Sequence, residues 1–152
     1  MTSPTLLFVY GTLLRGVPSA MAAYLERRGR YLGEAALPGC LLDLGSYPGL
    51  VYEAGSAAQV YGQVFALNDP ASTLAELDRY EGIDPQAPEA GEYRRIALTV
   101  LLAGAAAECW VYVYNFPPTG LPRIPGGDYR AYYPRQARHV RFIEHGRGAE
   151  ER

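Results

Sequence analysis

Two short stretches of this chain carry residue types and spacings that can do chemistry. The first is Tyr10-Gly11-Thr12-Leu13-Leu14-Arg15-Gly16. It follows the apolar run Leu6 to Val9, which reads as a buried strand. Gly11 frees the backbone where that strand ends, Thr12 adds a hydroxyl, and Gly16 closes the turn. A buried strand that breaks into a polar turn presents several backbone N–H groups in one direction, and these can hold a carboxylate or a developing oxyanion. Taken alone, the stretch is also compatible with a plain strand-to-helix connection, because Gly and Thr are common turn residues. The second stretch is Leu77-Asp78-Arg79-Tyr80-Glu81-Gly82, with Glu81 in the last turn of an expected helix. A carboxylate there faces the negative end of the helix dipole. Simple exposure would make it tolerable. If it is enclosed instead, apolar neighbours and the dipole raise its pKa, and it can accept and donate a proton near neutral pH.

Composition removes several other chemistries. All 14 basic residues are Arg, so there is neither a Schiff-base lysine nor a phosphate loop ending in Gly-Lys-Ser/Thr. The formal charge is −2 with no basic patch, which leaves nucleic acid without an electrostatic footprint. His139 and His145 are six apart and share no helix face. With Cys40 and Cys109 remote from them, no metal-ligand spacing exists. Gly45-Ser46-Tyr47-Pro48-Gly49 has its Ser out of place for an esterase elbow, and no Gly-x-Gly-x-x-Gly occurs. Both cysteines sit in apolar strand-like runs, so free buried thiols are expected. No stretch approaches a membrane span. The N-terminus lacks a basic segment followed by a hydrophobic one, which argues against export and for a cytoplasmic protein.

The elements that must position the two stretches follow from periodicity. Strands are expected over Leu6 to Tyr10, Tyr31 to Leu37, Cys40 to Leu44, Leu50 to Glu53, Gln59 to Leu67, Tyr93 to Leu102 and Glu108 to Tyr114, the fourth being the least distinct. The last two strands form a hairpin across a Gly-Ala turn. Helices are expected over Ser19 to Arg28 and Ala71 to Tyr80, with a closing one over Pro134 to Glu144. Asp69 and Pro70 fit the N-cap and first position of the second helix, and Gly82 its end. Ile83 to Gly91 is polar and Pro-rich, a surface loop placed to act as a lid. Phe116 to Gly127 reads as irregular. About six strands with two or three helices make an α+β chain of antiparallel pairing and a curved or closed sheet. One domain is expected over residues 1–145, with 146–152 as a frayed tail.

Together the two stretches resemble a known family. Tyr10 to Gly16 is similar to the Tyr-Gly-Ser/Thr-Leu-x-x-Gly signature of the γ-glutamylcyclotransferase-like family. Leu77 to Gly82, followed by Glu92-Tyr93-Arg94-Arg95, resembles that family's second block. Tyr47-Pro48-Gly49 and Val60-Tyr61-Gly62-Gln63-Val64 fall in the expected order, with a weaker echo at Gly126-Gly127-Asp128-Tyr129. The likeness is closer to the γ-glutamylamine cyclotransferase (AIG2-like) and bacterial small-protein branches than to the glutathione-specific branch.

The resemblance implies a small mixed, mostly antiparallel β-barrel with flanking helices. It implies cleavage of a small γ-glutamyl substrate without water: the substrate's α-amine attacks its own γ-carbonyl, releasing 5-oxoproline and an amine or amino acid. Such chemistry needs no cofactor, metal or nucleophilic side chain. Glu81 matches the family's catalytic Glu, and Gly11, Thr12 and Leu13 its substrate loop. Tyr10, Tyr47, Tyr93 and Tyr114 are candidate lining residues among 13 tyrosines. Arg94 and Arg95 fit either exposed strand positions or substrate clamps. Two alternatives stay open: a non-catalytic binding module on the same barrel, and a γ-glutamyl hydrolase. The oligomeric state, monomer or homodimer, is not specified.

Overall fold

The computed structural model of the protein describes residues 3–146. The expected tail lies, from residue 147 onward, outside the described residues. The elements in chain order are β1 (Leu6–Val9), α1 (Ala20–Arg28), β2 (Gly29–Asp43), β3 (Pro48–Tyr52), β4 (Gln59–Leu67), α2 (Pro70–Tyr80), β5 (Tyr93–Leu102), β6 (Ala105–Tyr114), β7 (Arg123–Ile124), α3 (Tyr129–Tyr132) and α4 (Ala137–His145). None of the described helices is long and apolar enough to cross a membrane.

Five strands close on themselves in the order β2-β4-β1-β6-β5, and the Ala35↔Leu102 and Ala36↔Leu101 pairs complete the ring. Only β1 and β6 run parallel, through Leu7↔Trp110; the other pairings are antiparallel. Closure leaves the central strands without an edge; Leu7 to Val9 of β1 and Gly62 to Phe65 of β4 are buried, with Gln63 the one polar residue among them. Leu7, Val9, Leu37, Val60, Val64, Val100 and Val111 belong to the core. β3 and β7 pair with the far half of β2, outside the ring.

The two-residue β7 falls in the stretch expected to be irregular, and three longer elements differ from the sequence expectation. The strands expected on either side of Pro38-Gly39 are one continuous β2. The chain changes partner there instead of breaking: Pro38 still pairs with Gln59 of β4, and Gly39 begins the pairing with β3. A residue without a ladder donor is tolerated at such a switch. β6 begins three residues early, because Ala105 pairs with Leu102 directly across a two-residue turn, Ala103-Gly104, with both φ positive. The closing helix starts only at Ala137, since extended backbone at Gln136 separates it from α3 and a 3-10 turn over Tyr133–Arg135.

The C-terminal elements are fastened by a buried polar chain. His139, 1% exposed, lies between Tyr129 and Asp43, at 2.8 Å from each. Tyr132 donates to the other Asp43 oxygen at 2.6 Å, and the Gly45 N–H donates to Asp43 Oδ1 at 2.8 Å. Burial works to raise the Asp43 pKa, but these donors outweigh it and hold the carboxyl below its ordinary value. Ionised Asp43 accepts the Nε2–H of His139, and in that neutral tautomer Nδ1 accepts from the Tyr129 hydroxyl. Burial pushes the Tyr129 pKa well up, and it stays a donor. Both cysteines are free, but only Cys109 is buried and Cys40 is partly exposed; burial pushes the Cys109 thiol to about 11.

A depressed carboxyl pKa contributes stability that is complete above the unfolded value, about 3.9, and lost as pH falls through the lower folded value. Asp43→Asn is therefore expected to cost about 1.5–3 kcal/mol at pH 7, the worth of hydrogen bonds to a charged group. Urea melts of both proteins at pH 7 and pH 3 check this: the gap must shrink at pH 3.

Candidate active site

β1 delivers the chain to the site. Leu6 to Val9 pair with β4, and the strand ends as the chain enters Tyr10-Gly11-Thr12-Leu13. The loop is held from several sides. The Leu14 N–H returns to the Gly11 carbonyl at 3.0 Å. Buried Gln63 of β4 accepts the Arg15 N–H at 2.7 Å. Ser19, the N-cap of α1, accepts from the Ala22 N–H and donates to the Thr12 carbonyl. Gly11 has no room for a side chain, because a Cβ there would stand 2.6 Å from Cγ of Pro48. Among the described residues, the N–H groups of Gly11, Thr12 and Leu13 make no hydrogen bond to a protein acceptor.

Glu81 arrives from the other side on α2. Asp69 caps this helix at the Ser72 N–H, Pro70 takes its first position, and Leu74 and Leu77 anchor it in the core. Its end is a Schellman turn: Gly82 has φ +77°, its N–H bonds the Arg79 carbonyl, and the Ile83 N–H bonds that of Asp78. Glu81 is thereby set just before the reversal. One turn earlier, Asp78 accepts from Arg95 Nε at 2.8 Å and Nη2 at 3.0 Å, and from the Tyr112 hydroxyl at 2.6 Å. Arg95 also stacks over Trp110, 4.4 Å from the ring centre. The helix end is thus bolted to the β5–β6 hairpin.

The two stretches meet at one cavity. Its walls are Phe8, Val9 and Tyr10; Gly11, Thr12 and Leu13; Tyr47 and Pro48; Tyr80 and Glu81; Tyr93, Tyr112 and Phe142. The space between them is about 400 Å³ with its open mouth included, but the cavity itself is narrow, about 30 Å³. Glu81 is the only charged residue among those walls.

The tyrosines act as frame. Tyr10 donates to the Tyr112 carbonyl at 2.7 Å, Tyr93 to the Pro48 carbonyl at 2.6 Å, and Tyr47 to Glu92. The Thr12 and Tyr80 hydroxyls lie 3.1 Å apart. Burial, reinforced by the nearby charge of Glu81, pushes the pKa of Tyr10 and Tyr93 well up. Burial and the bond to Asp78 do the same for Tyr112. These three stay neutral at any ordinary pH and cannot serve as the base.

Of the residues expected from sequence, Glu81, Tyr10, Gly11, Thr12, Leu13, Tyr47 and Tyr93 share this cavity, and Tyr114 does not line it. Tyr114 lies at the end of β6, stacked edge-on to Phe116 with ring centres 5.9 Å apart. Tyr112, two residues back, takes the lining place. Arg94 is exposed and Arg95 clamps Asp78, not the cavity. Phe8, Val9, Pro48, Tyr80, Tyr112 and Phe142 were not anticipated. For Tyr80 and Pro48 a signal existed, since each adjoins a motif residue. Phe142 carried none. No group of three His, Cys, Asp or Glu side chains that could hold a metal ion is gathered among the described residues.

A five-stranded mixed barrel whose cavity is lined by a carboxylate and a strand-exit loop defines a class of protein, and comparison names it. The model of the gamma-glutamyl cyclotransferase, AIG2-like family matches residues 7–131, and the chain belongs to that family. It is 32% identical over 124 residues to the gamma-glutamylcyclotransferase family protein YtfP of Escherichia coli, covering 81% of this chain and 94% of that one. Among solved structures, a mouse AIG2-like protein superposes with a TM-score of 0.64 at 25% identity, covering 88% of this chain and 92% of the other. The solution structure of Escherichia coli ytfP gives a TM-score of 0.55 at 31% identity, covering 82% and 95%.

The Gly11–Pro48 contact generates an expectation. Gly11→Ala forces either the loop or the β3 entry to move, at about 1–3 kcal/mol as for overpacked cores. A denaturant melt reads that loss, and wild-type stability in the variant would show that the approach is not tight.

Proposed function

We propose that the protein is a γ-glutamyl cyclotransferase. The observation that carries this reading is that Glu81 and the Gly11 to Leu13 loop, seventy residues apart in the chain, line one narrow cavity. A γ-glutamyl compound brings both reactants itself. Its α-ammonium must lose one proton to become the attacking amine, and that nitrogen loses a second as its new C–N bond to the γ-carbonyl carbon closes a five-membered lactam. The old C–N bond then breaks, one of these protons going to the departing nitrogen and the other to the freed amine or to solvent. The α-ammonium has a pKa of about 8, so the first proton needs a base.

Glu81 fits both proton steps: it accepts from the ammonium and returns the proton to the leaving nitrogen. The loop N–H groups supply donors for the α-carboxylate or for the oxyanion on the former carbonyl. The narrow walls suit the remaining task, which is to curl a flexible glutamyl chain so that nitrogen meets carbonyl carbon. Such pre-alignment is worth several kcal/mol, about 7–11 at best. The neutral tyrosine frame excludes competing bases and keeps the charge on one group.

Glu81→Gln should fold normally, retain substrate binding and lose turnover by about 10²–10⁴-fold, the usual worth of a general base. The assay is 5-oxoproline release from γ-glutamyl amides. Free glutamate as the product would identify a hydrolase instead, and near-normal lactam formation by the variant would remove Glu81 from the mechanism.

A further inference from the structure

The cavity has one wall that the family match does not include. The match ends at residue 131, whereas α4 runs from Ala137 to His145. His139, Phe142 and Ile143 are the buried positions of this helix, at i, i+3 and i+4 on one face. Phe142 is 3% exposed and lines the cavity. Its ring lies 5.0 Å from that of Tyr47, which in turn lies 6.3 Å from Tyr93. One turn earlier, His139 is tied to Asp43, the last residue of β2. The helix therefore grips both ends of the β2–β3 turn: Asp43 through His139, and Tyr47 through Phe142.

We infer that α4 is a size gate for the group attached to the γ-carbonyl: Phe142 narrows the cavity so that compact leaving groups pass and bulky ones are rejected, and the Tyr129–His139–Asp43 chain holds the gate shut. The inference rests on the cyclotransferase reading of the same cavity. Three observations carry it. The cavity is small, so a bulky residue in its lining sets what fits. Among the lining residues, Phe142 is the contribution from outside the barrel, the two loops, the start of β3 and α2. The helix that bears it is latched by the hydrogen-bonded chain Tyr129–His139–Asp43. The glutamyl head has Glu81 and the loop donors to hold it, so what Phe142 and Tyr47 can select is the remainder of the substrate. Phe142 is a specificity residue here; His139 and Tyr129 are positioning residues.

The test compares γ-glutamyl methylamide with γ-glutamyl anilide. In Phe142→Ala the ratio of kcat/KM for the anilide over the methylamide is expected to rise at least about tenfold, the lower range for one altered apolar contact. An unchanged or reduced ratio overturns the gate. Phe142→Leu, which keeps more of the core, should shift the ratio in the same direction and serves if the Ala variant does not fold. Tyr129→Phe removes only the donor to His139; a raised ratio supports the latch, and a lower Tm with the ratio fixed overturns it. Calorimetric binding of glutaric monoanilide and glutaric monomethylamide, which lack the α-amine and cannot cyclise, reads the same gate without turnover. If wild-type protein forms no lactam from either amide, the cyclotransferase reading fails. A selective gain of anilide affinity in Phe142→Leu would then still support the gate as a property of the cavity, and its absence would overturn that too.

Discussion

Glu81 owes its place to Asp78. The Asp78 carboxylate takes two N–H groups from Arg95 and the hydroxyl of Tyr112, and so fixes the last turn of α2 against the β5–β6 hairpin. A bidentate guanidinium–carboxylate pair sets direction as well as distance. The Schellman turn at Gly82 then reverses the chain immediately after Glu81. Without this bolt, the helix end would be free to fray as helix termini do, and the carboxylate would lose its aim. Arg95 is held in turn by the Trp110 ring, and Trp110 by its indole N–H on the Pro4 carbonyl. The chain of contacts therefore runs from the first residues of the barrel to the single charged group of the cavity.

Around that charge the barrel supplies neutral, engaged groups. The hydroxyls of Tyr10, Tyr47, Tyr93 and Tyr112 are each spent on the protein itself. This stiffens the cavity at little electrostatic cost, because a buried phenol with a partner has no unmet hydrogen bond. Gly11 to Leu13, whose N–H groups have no protein acceptor among the described residues, line the cavity together with Glu81. A ligand with one carboxylate and one transferable proton matches that division of labour.

The barrel and much of the cavity were legible in the sequence because local signals and function coincide there. The apolar run before Gly11, the Asp69-Pro70 start of α2 and Gly82 at its end each mark an element boundary that also aims a site residue. What was not legible depends on partners distant in the chain. The continuity of β2 through Pro38-Gly39 depends on β4 and β3 flanking it on opposite edges, the one pairing up to Pro38 and the other from Gly39. The role of Arg95 needs Asp78 seventeen residues away, and nothing local separates it from exposed Arg94. Tyr114 and Tyr112 share a strand face, and only their distance along the barrel decides which one reaches the cavity. Phe142 and His139 are hardest: α4 looks like a closing amphipathic helix, and its relation to Tyr47 and Asp43 exists only once the barrel has closed.

The most direct measurement is a crystal structure of the protein with 5-oxoproline, the lactam itself. The account requires the lactam carboxylate or ring carbonyl within hydrogen-bond distance of the Gly11 to Leu13 N–H groups, and the ring nitrogen or the leaving-group side of its carbonyl carbon facing the Glu81 carboxylate. A lactam bound elsewhere, or one seated in the cavity with Glu81 turned away from it, would contradict the account.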